Sequence, residues 1–406
     1  MSQESTLSFR TQYDRTLSVR PRAWVVNLLL VVSAAVLNPI FVALAAAYFE
    51  SVRKIKIPLF FYAFVAYIFL GFWLREYGVN FSPEASDDVP EYFRRIGLEQ
   101  FQSIKGVVST FFLWPSGGEP IFYLVNLPIS SLDTTIELFA LYNYIPLAVL
   151  LSVALRLTMG SFSTLGALIF FFAVAEVSYA FIHLWRQAFA AVFILLSLYF
   201  IRRNKTAAAF LMLVLASLSH LLAAFFLFFY VLMFLPRLLL FRKTLPPSLV
   251  SAVSISAALS FLGFLMLSLG KTYDISSVPG MATSIKILAL TTVSSLLYVF
   301  LVKTKNKTND FRFMYYSMVS LSIIAFLSGP IMAHRALAIL AAIFSVYCVL
   351  AIATLLSDRV AYLFLASASL MFIVRLRDYS QGAFHASYYN EFFSVFNPLL
   401  SVIGLA

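Results

Sequence analysis

The sequence predicts an all-α, polytopic integral membrane protein, and three observations lead there. Hydrophobic residues make up 62% of the 406 and charged residues only 12%. Mean hydropathy is +0.91. Apolar runs of membrane-crossing length recur from Ala23 to Ala406, which amounts to about 11–13 transmembrane segments for a hydrocarbon core of about 30 Å. Only helices and closed barrels satisfy every backbone polar group in lipid, and continuous rather than alternating apolar runs select helices. Residues 1–22 form a basic N-terminal segment, 23–405 a single membrane domain, and about 75–132 a structured outer loop.

The remaining composition narrows the class. The formal charge of +11 comes from 29 basic against 18 acidic residues. The basic ones gather in short loops, which suits orientation in anionic lipid and makes nucleic acid a poor partner. The single cysteine, Cys348, excludes an intrachain disulfide. No HExxH, CxxC, nucleophile elbow or Gly-rich phosphate loop occurs, so neither a metal nor a cofactor is expected. Arg10, Arg15, Arg20 and Arg22 precede an apolar run from Trp24 to Phe49 that is long for a signal peptide and is read as retained. Within it, Asn38-Pro39 either kinks one span or turns a re-entrant hairpin.

Basic loops then orient the spans. Arg53, Lys54 and Lys56, then Arg202, Arg203 and Lys205, then Arg237, Arg242 and Lys243, then Lys303, Lys305 and Lys307 should all be cytoplasmic. The count of spans agrees only if Thr206 to Leu235 crosses twice. As one helix those residues would be about 45 Å long, too long for a core of about 30 Å without strong tilt. A break at Ser217-Leu-Ser-His220 is therefore expected, with His220 near the outer face. Later spans are placed at about Leu249–Leu269, Ser284–Val302, Phe311–Ser328, Ala336–Leu356, Val360–Val374 and Tyr388–Leu405. All four histidines (His183, His220, His334 and His385) then fall on the outer side with Arg186, Arg335, Arg375 and Arg377.

The outer loop carries the useful acids. Asp87 and Asp88 precede Val-Pro-Glu-Tyr-Phe-Arg-Arg, which reads as a helix with an Asp cap and Pro in its first turn. Glu119 precedes Pro120 and opens a second, aromatic helix. Arg186 and Gln187, with His183 one turn ahead, stand between two long apolar runs. Charge at membrane depth is costly and usually marks a functional site facing protein or a water-filled cavity.

In order along the chain, Leu74-Arg75-Glu-Tyr-Gly-Val, Asp87 or Asp88 with Tyr92, Glu119-Pro-Ile-Phe, Arg186-Gln187-Ala-Phe-Ala and Ser217-Leu-Ser-His220 resemble the landmarks of Wzy/EpsG-type O-antigen and exopolysaccharide polymerases. The Arg-Gln-x-x-Ala motif and the Ser-x-x-His after it carry most of the resemblance. Where that family has an Arg-Tyr-x-x-Gly-x-Asp cluster, this chain has Arg75-Glu-Tyr-Gly-Val-Asn with the acids further on. The resemblance implies joining of polyprenyl-diphosphate-linked oligosaccharide repeat units on the periplasmic face. It also implies a multi-pass protein of the bacterial inner membrane, with an architecture of the GT-C kind, membrane lipid around it and a chain-length regulator as a partner.

The residue chemistry fits that implication. Arginines stay protonated and offer a planar fork to a departing diphosphate. Arg75, Arg186, Arg335, Arg375 and Arg377, with His183 and Gln187, are the candidate substrate-binding residues. His220, Glu119, Asp87 and Asp88 compete to accept the proton of the acceptor hydroxyl. Trp185, Tyr123, Tyr388 and Tyr389 are candidate sugar platforms. Blander roles stand beside these: headgroup snorkelling for the arginines, helix capping for the acids, lipid-interface belts for the aromatics. Two other function classes remain open. One is a glycosyltransferase using a polyprenyl-phosphate sugar, for which Asp87-Asp88 is the relevant feature, and the other is a lipid-linked glycan flippase or transporter.

Overall fold

The structure, a computed structural model, describes residues 28–356 apart from short breaks and longer ones at 78–88, 240–245 and 258–280, with isolated positions beyond. Asp87, Asp88, His183, Arg375, Arg377, His385, Tyr388 and Tyr389 lie outside the described residues, as do the side chains of Arg75 and His334. The helices are α1 (Pro39–Val52), α2 (Leu59–Tyr77), α3 (Val89–Ile96), α4 (Ile104–Leu113), α5 (Pro120–Ser130), α6 (Ile136–Met159) and α7 (Thr164–Ala173), followed by α8 (Trp185–Arg202), α9 (Thr206–Ser219), α10 (Ala224–Leu239), α11 (Met281–Lys303), α12 (Asn309–Leu327) and α13 (Pro330–Leu355). No strand occurs among the described residues. Four helices, α6, α8, α12 and α13, are long and apolar enough to cross a membrane, and shorter apolar helices accompany them. The chain is an all-α polytopic membrane protein.

Two helices form the centre. The apolar window of α8 is 78% buried and that of α13 is 89% buried, as expected of helices that are hydrophobic all round and enclosed by others. Around α8 stand α6, α9, α12 and α13. Its Ala188, Ala190 and Ala191, and Ala209 and Ala216 of α9, are buried. Small side chains let helix backbones approach closely in the absence of a water-driven force between helices.

A tight turn makes α8 and α9 an antiparallel pair. Asn204 adopts φ 55°, a left-handed conformation that Asn tolerates better than most residues. The Asn204 amide donates to the Ile201 carbonyl at 3.0 Å and the Lys205 amide to Phe200 at 2.9 Å, closing the exposed end of α8. Antiparallel pairing then brings the start of α8 and the end of α9 to the same level. That is where Arg186 and His220 lie.

The predicted break between Thr206 and Leu235 is present. α9 ends at Ser219, a 3-10 turn covers Leu221–Ala223, and α10 begins at Ala224. Ser217 and Ser219 donate to the carbonyls of Leu213 and Leu215, each at 2.8 Å, the kind of local bonding that bends helices. His220 is extended at φ −158° and ψ 131°. Pro39 and Pro120 both open helices, where a missing N–H and a preset φ cost nothing.

Other boundaries differ from expectation. Arg75 lies within the last turn of α2 rather than in the loop. His334 and Arg335 belong to α13 rather than to the turn before it, because Pro330 starts that helix about a turn earlier than its apolar run does.

The end of the bundle opposite Arg186 is tied by charge. Arg202 Nε donates to Asp310 at 2.7 Å and its Nη1 to the Thr158 carbonyl at 2.7 Å. Nearby in α6, Arg156 donates to Glu50 at 3.2 Å and to the Tyr62 hydroxyl at 3.1 Å, while Tyr62 also donates to Glu50. These contacts put the ends of α1, α6 and α8 and the start of α12 together. Arg202, Arg203 and Lys205 therefore lie at this end of the bundle; the basic stretches 53–56 and 304–307 fall outside the described residues.

Candidate active site

Four separate segments deliver the site. Glu119 stands immediately before Pro120, which opens α5; a residue before proline avoids helix, so the carboxylate sits on the approach to α5 rather than within it. Reciprocal amide bonds fix α5 to α6: Asn126 donates to Asn143 at 3.0 Å and Asn143 donates back at 2.8 Å. The Tyr142 hydroxyl adds a bond to the Val125 carbonyl at 2.9 Å. Both asparagines are fully buried, and their second amide hydrogens go to Phe122 and Phe139 carbonyls at 2.9 Å. No donor of the pair is wasted in an environment where an orphan is costly.

Arg186 is in the first turn of α8. A cation there opposes the helix dipole, so the position does not serve the helix itself. Glu119 answers it: Arg186 Nη1 lies 2.5 Å from Glu119 Oε2, with side-chain exposures of 19% and 14%. Glu119 Oε2 nevertheless receives no aligned hydrogen bond. The contact is a close ion pair without the two-pronged alignment that a firmly held arginine–carboxylate pair shows.

Tyr92 supplies the directed contact. Its hydroxyl accepts from Arg186 Nε at 3.0 Å, and the guanidinium carbon lies 4.7 Å from the centre of its ring, within cation–π range. Val89, Tyr92 and Ile96 are the buried positions of α3. That spacing of one helix face was the available signal for an inward Tyr92, which the sequence offered only as part of a family resemblance. Behind Tyr92, ring centres of Phe122 and Trp185 lie at 4.8 and 6.1 Å.

His220 completes the group. The Leu222 amide donates to its Nδ1 at 3.2 Å. The neutral ring therefore carries its hydrogen on Nε2. That nitrogen is 3.8 Å from Glu119 Oε1. Taking up a proton at Nδ1 would set two hydrogens against each other, so the backbone holds His220 as a donor towards Glu119.

The other candidates fall differently. Gln187 is turned inward, 3% exposed, and its Oε1 has no hydrogen-bond partner among the described residues. Arg335 is half-buried in α13. Trp185 and Tyr123 are not available as sugar platforms, contrary to expectation. Trp185 is fully buried against Phe139 and Tyr144 at 5.3 and 5.8 Å, and Tyr123 is stacked on Phe101 at 4.0 Å. Their faces are spent on one another. Glu91 is held by Arg94 and Arg95; hydrogen bonding to Arg94, aided by Arg95, pulls its carboxyl down to about 2. A carboxylate so depressed is a weak proton acceptor and reads as a solvated face of α3. No group of three or more metal-ligating side chains occurs among the described residues.

The EpsG family model matches residues 91–393, a span that takes in Tyr92, Glu119, Arg186 and His220. No curated protein and no solved structure matches the chain.

Proposed function

Because this chain belongs to the EpsG family, with a role of the polysaccharide-polymerase type, we propose that it joins polyprenyl-diphosphate-linked oligosaccharide repeat units at the outer face of the bacterial inner membrane. The observation that carries this reading is the meeting of Glu119, Arg186 and His220 from three segments at one end of the bundle. Arg186 holds the diphosphate that leaves the growing chain. Glu119 receives the proton of the acceptor hydroxyl. The acceptor oxygen bonds to the anomeric carbon as the bond from that carbon to the phosphate oxygen breaks, and the electron pair departs on the diphosphate. The acceptor's proton ends on Glu119, and the negative charge gained by the departing polyprenyl diphosphate is met by Arg186, which stays protonated.

Glu119 is preferred to His220 as the base because His220 Nδ1 already accepts the Leu222 amide. His220 instead donates towards the carboxylate and aligns it. A single carboxylate suits direct displacement with inversion, whereas a covalent route needs a second as nucleophile. Asp87 and Asp88, a few residues before Tyr92, are the candidates for that second acid. Arg75, His183, Gln187, Arg335, Arg375 and Arg377 extend the proposed binding surface for donor and acceptor, and a chain-length regulator is the proposed protein partner.

The glycan of a deletion strain tests the reading. Single repeat units in place of long chains are expected. Loss of one sugar from every unit would instead identify a transferase using a polyprenyl-phosphate sugar. Lipid-linked units trapped on the cytoplasmic side would identify a flippase.

A further inference from the structure

Tyr92 and Glu119 meet Arg186 in unequal ways. Tyr92 meets it by an aligned hydrogen bond of 3.0 Å and by its ring face. Glu119 meets it at 2.5 Å without an aligned hydrogen bond. The carboxylate also has a second neighbour, His220 Nε2 at 3.8 Å, towards which it can turn. The guanidinium further sits at the start of α8, where helix amides and dipole favour an anion.

We propose that Tyr92 is the fixed ligand of Arg186 and Glu119 the exchangeable one, so that an incoming diphosphate displaces the carboxylate from the arginine. This rests on the polymerase reading for the identity of the ligand. Displacement does two things. It transfers the guanidinium from an internal partner to the leaving group, and it turns a charge-paired carboxylate towards His220 and the acceptor hydroxyl. A carboxylate no longer held against the guanidinium has both oxygens available, one towards His220 and one towards the acceptor hydroxyl. The base is thereby released when the donor arrives. While Arg186 and Glu119 are paired they are neutral overall, which limits the cost of keeping both charges at membrane depth. Tyr92 is a positioning residue: it keeps the guanidinium in place while its carboxylate partner changes.

The test is the binding of farnesyl diphosphate, with farnesyl monophosphate alongside, to the full-length protein in nanodiscs by titration calorimetry. Glu119→Gln should bind the diphosphate about tenfold more tightly than wild type, because the internal competitor is gone. Glu91→Gln removes the same formal charge from an exposed helix and should change affinity by less than about twofold. Glu119→Ala provides the same comparison should the Gln variant fail to fold. Tyr92→Phe keeps the ring and should melt as wild type does, yet bind the diphosphate about fivefold more weakly. If Glu119→Gln and Glu119→Ala bind no more tightly than Glu91→Gln, exchange at Arg186 is wrong. If Tyr92→Phe binds as wild type does, Tyr92 has no positioning role. Tightening in the Glu119 variants together with normal glycan length in the deletion strain would uphold the exchange and remove the polymerase reading. A tightening seen equally with the monophosphate would uphold exchange with a phosphate-bearing lipid but overturn its diphosphate identity.

Discussion

The Leu222 amide donates to His220 Nδ1 at 3.2 Å, so one side chain both ends α9 and caps the turn that follows. The same bond fixes which ring nitrogen faces Glu119. Structure and chemistry at this position can be separated by substitution. In His220→Asn, the side-chain oxygen can still accept the Leu222 amide while nothing replaces Nε2. The expected outcome is normal membrane insertion and thermal stability with greatly reduced polymer. His220→Ala should lose about 1 kcal/mol of stability as well, the usual value of a helix cap. Thermal unfolding of the purified variants, set beside their glycan products, checks both parts.

Arg186→Lys keeps the charge and loses the fork. With Nε gone, the bond to Tyr92 cannot form, and an ammonium cannot grip two phosphate oxygens in the same planar way. Activity should fall about a hundredfold, in the range seen when one preorganised donor to developing negative charge is removed. Steady-state turnover of lipid-linked donor checks it. Near-normal turnover in Lys with loss in Ala would show that a point charge suffices.

The level of His220 against Arg186 depends on the turn at Asn204. Asn204→Gly should stay within about 0.5 kcal/mol of wild type, since glycine adopts the left-handed conformation freely. Asn204→Val should cost about 1–2 kcal/mol, because its branched side chain meets the backbone there. Chemical denaturation of the two variants in matched detergent measures the difference.

Much of the frame could be read from residues alone. The length of Thr206 to Leu235 required a break, and the break falls at His220; the Glu119-Pro120 step required a helix start, and α5 begins there. Both are consequences of local backbone physics. What could not be read were pairings made across distance in the chain. Nothing in the sequence says that Glu119 meets Arg186, or that Tyr92 accepts from it, because these contacts depend on how α3, α5 and α8 come together. Trp185 stayed open between sugar platform and lipid-interface belt for a related reason: its size and polarity fit either role, and only the surrounding Phe139 and Tyr144 place it in the core. The role of His220 turned on a backbone amide two residues away, a contact with no compositional trace. His334 and Arg335 were assigned to a loop because apolar periodicity starts later than the helix that Pro330 opens.

The most direct measurement is turnover by Glu119→Gln in liposomes supplied with lipid-linked repeat units, following chain length and release of polyprenyl diphosphate together. Wild-type protein should lengthen the glycan and release one diphosphate for each unit added. Glu119→Gln should bind the donor yet neither lengthen the glycan nor release diphosphate, since the acceptor hydroxyl has nowhere to place its proton. Elongation and release at the wild-type rate would contradict the central claim and place the proton acceptor elsewhere.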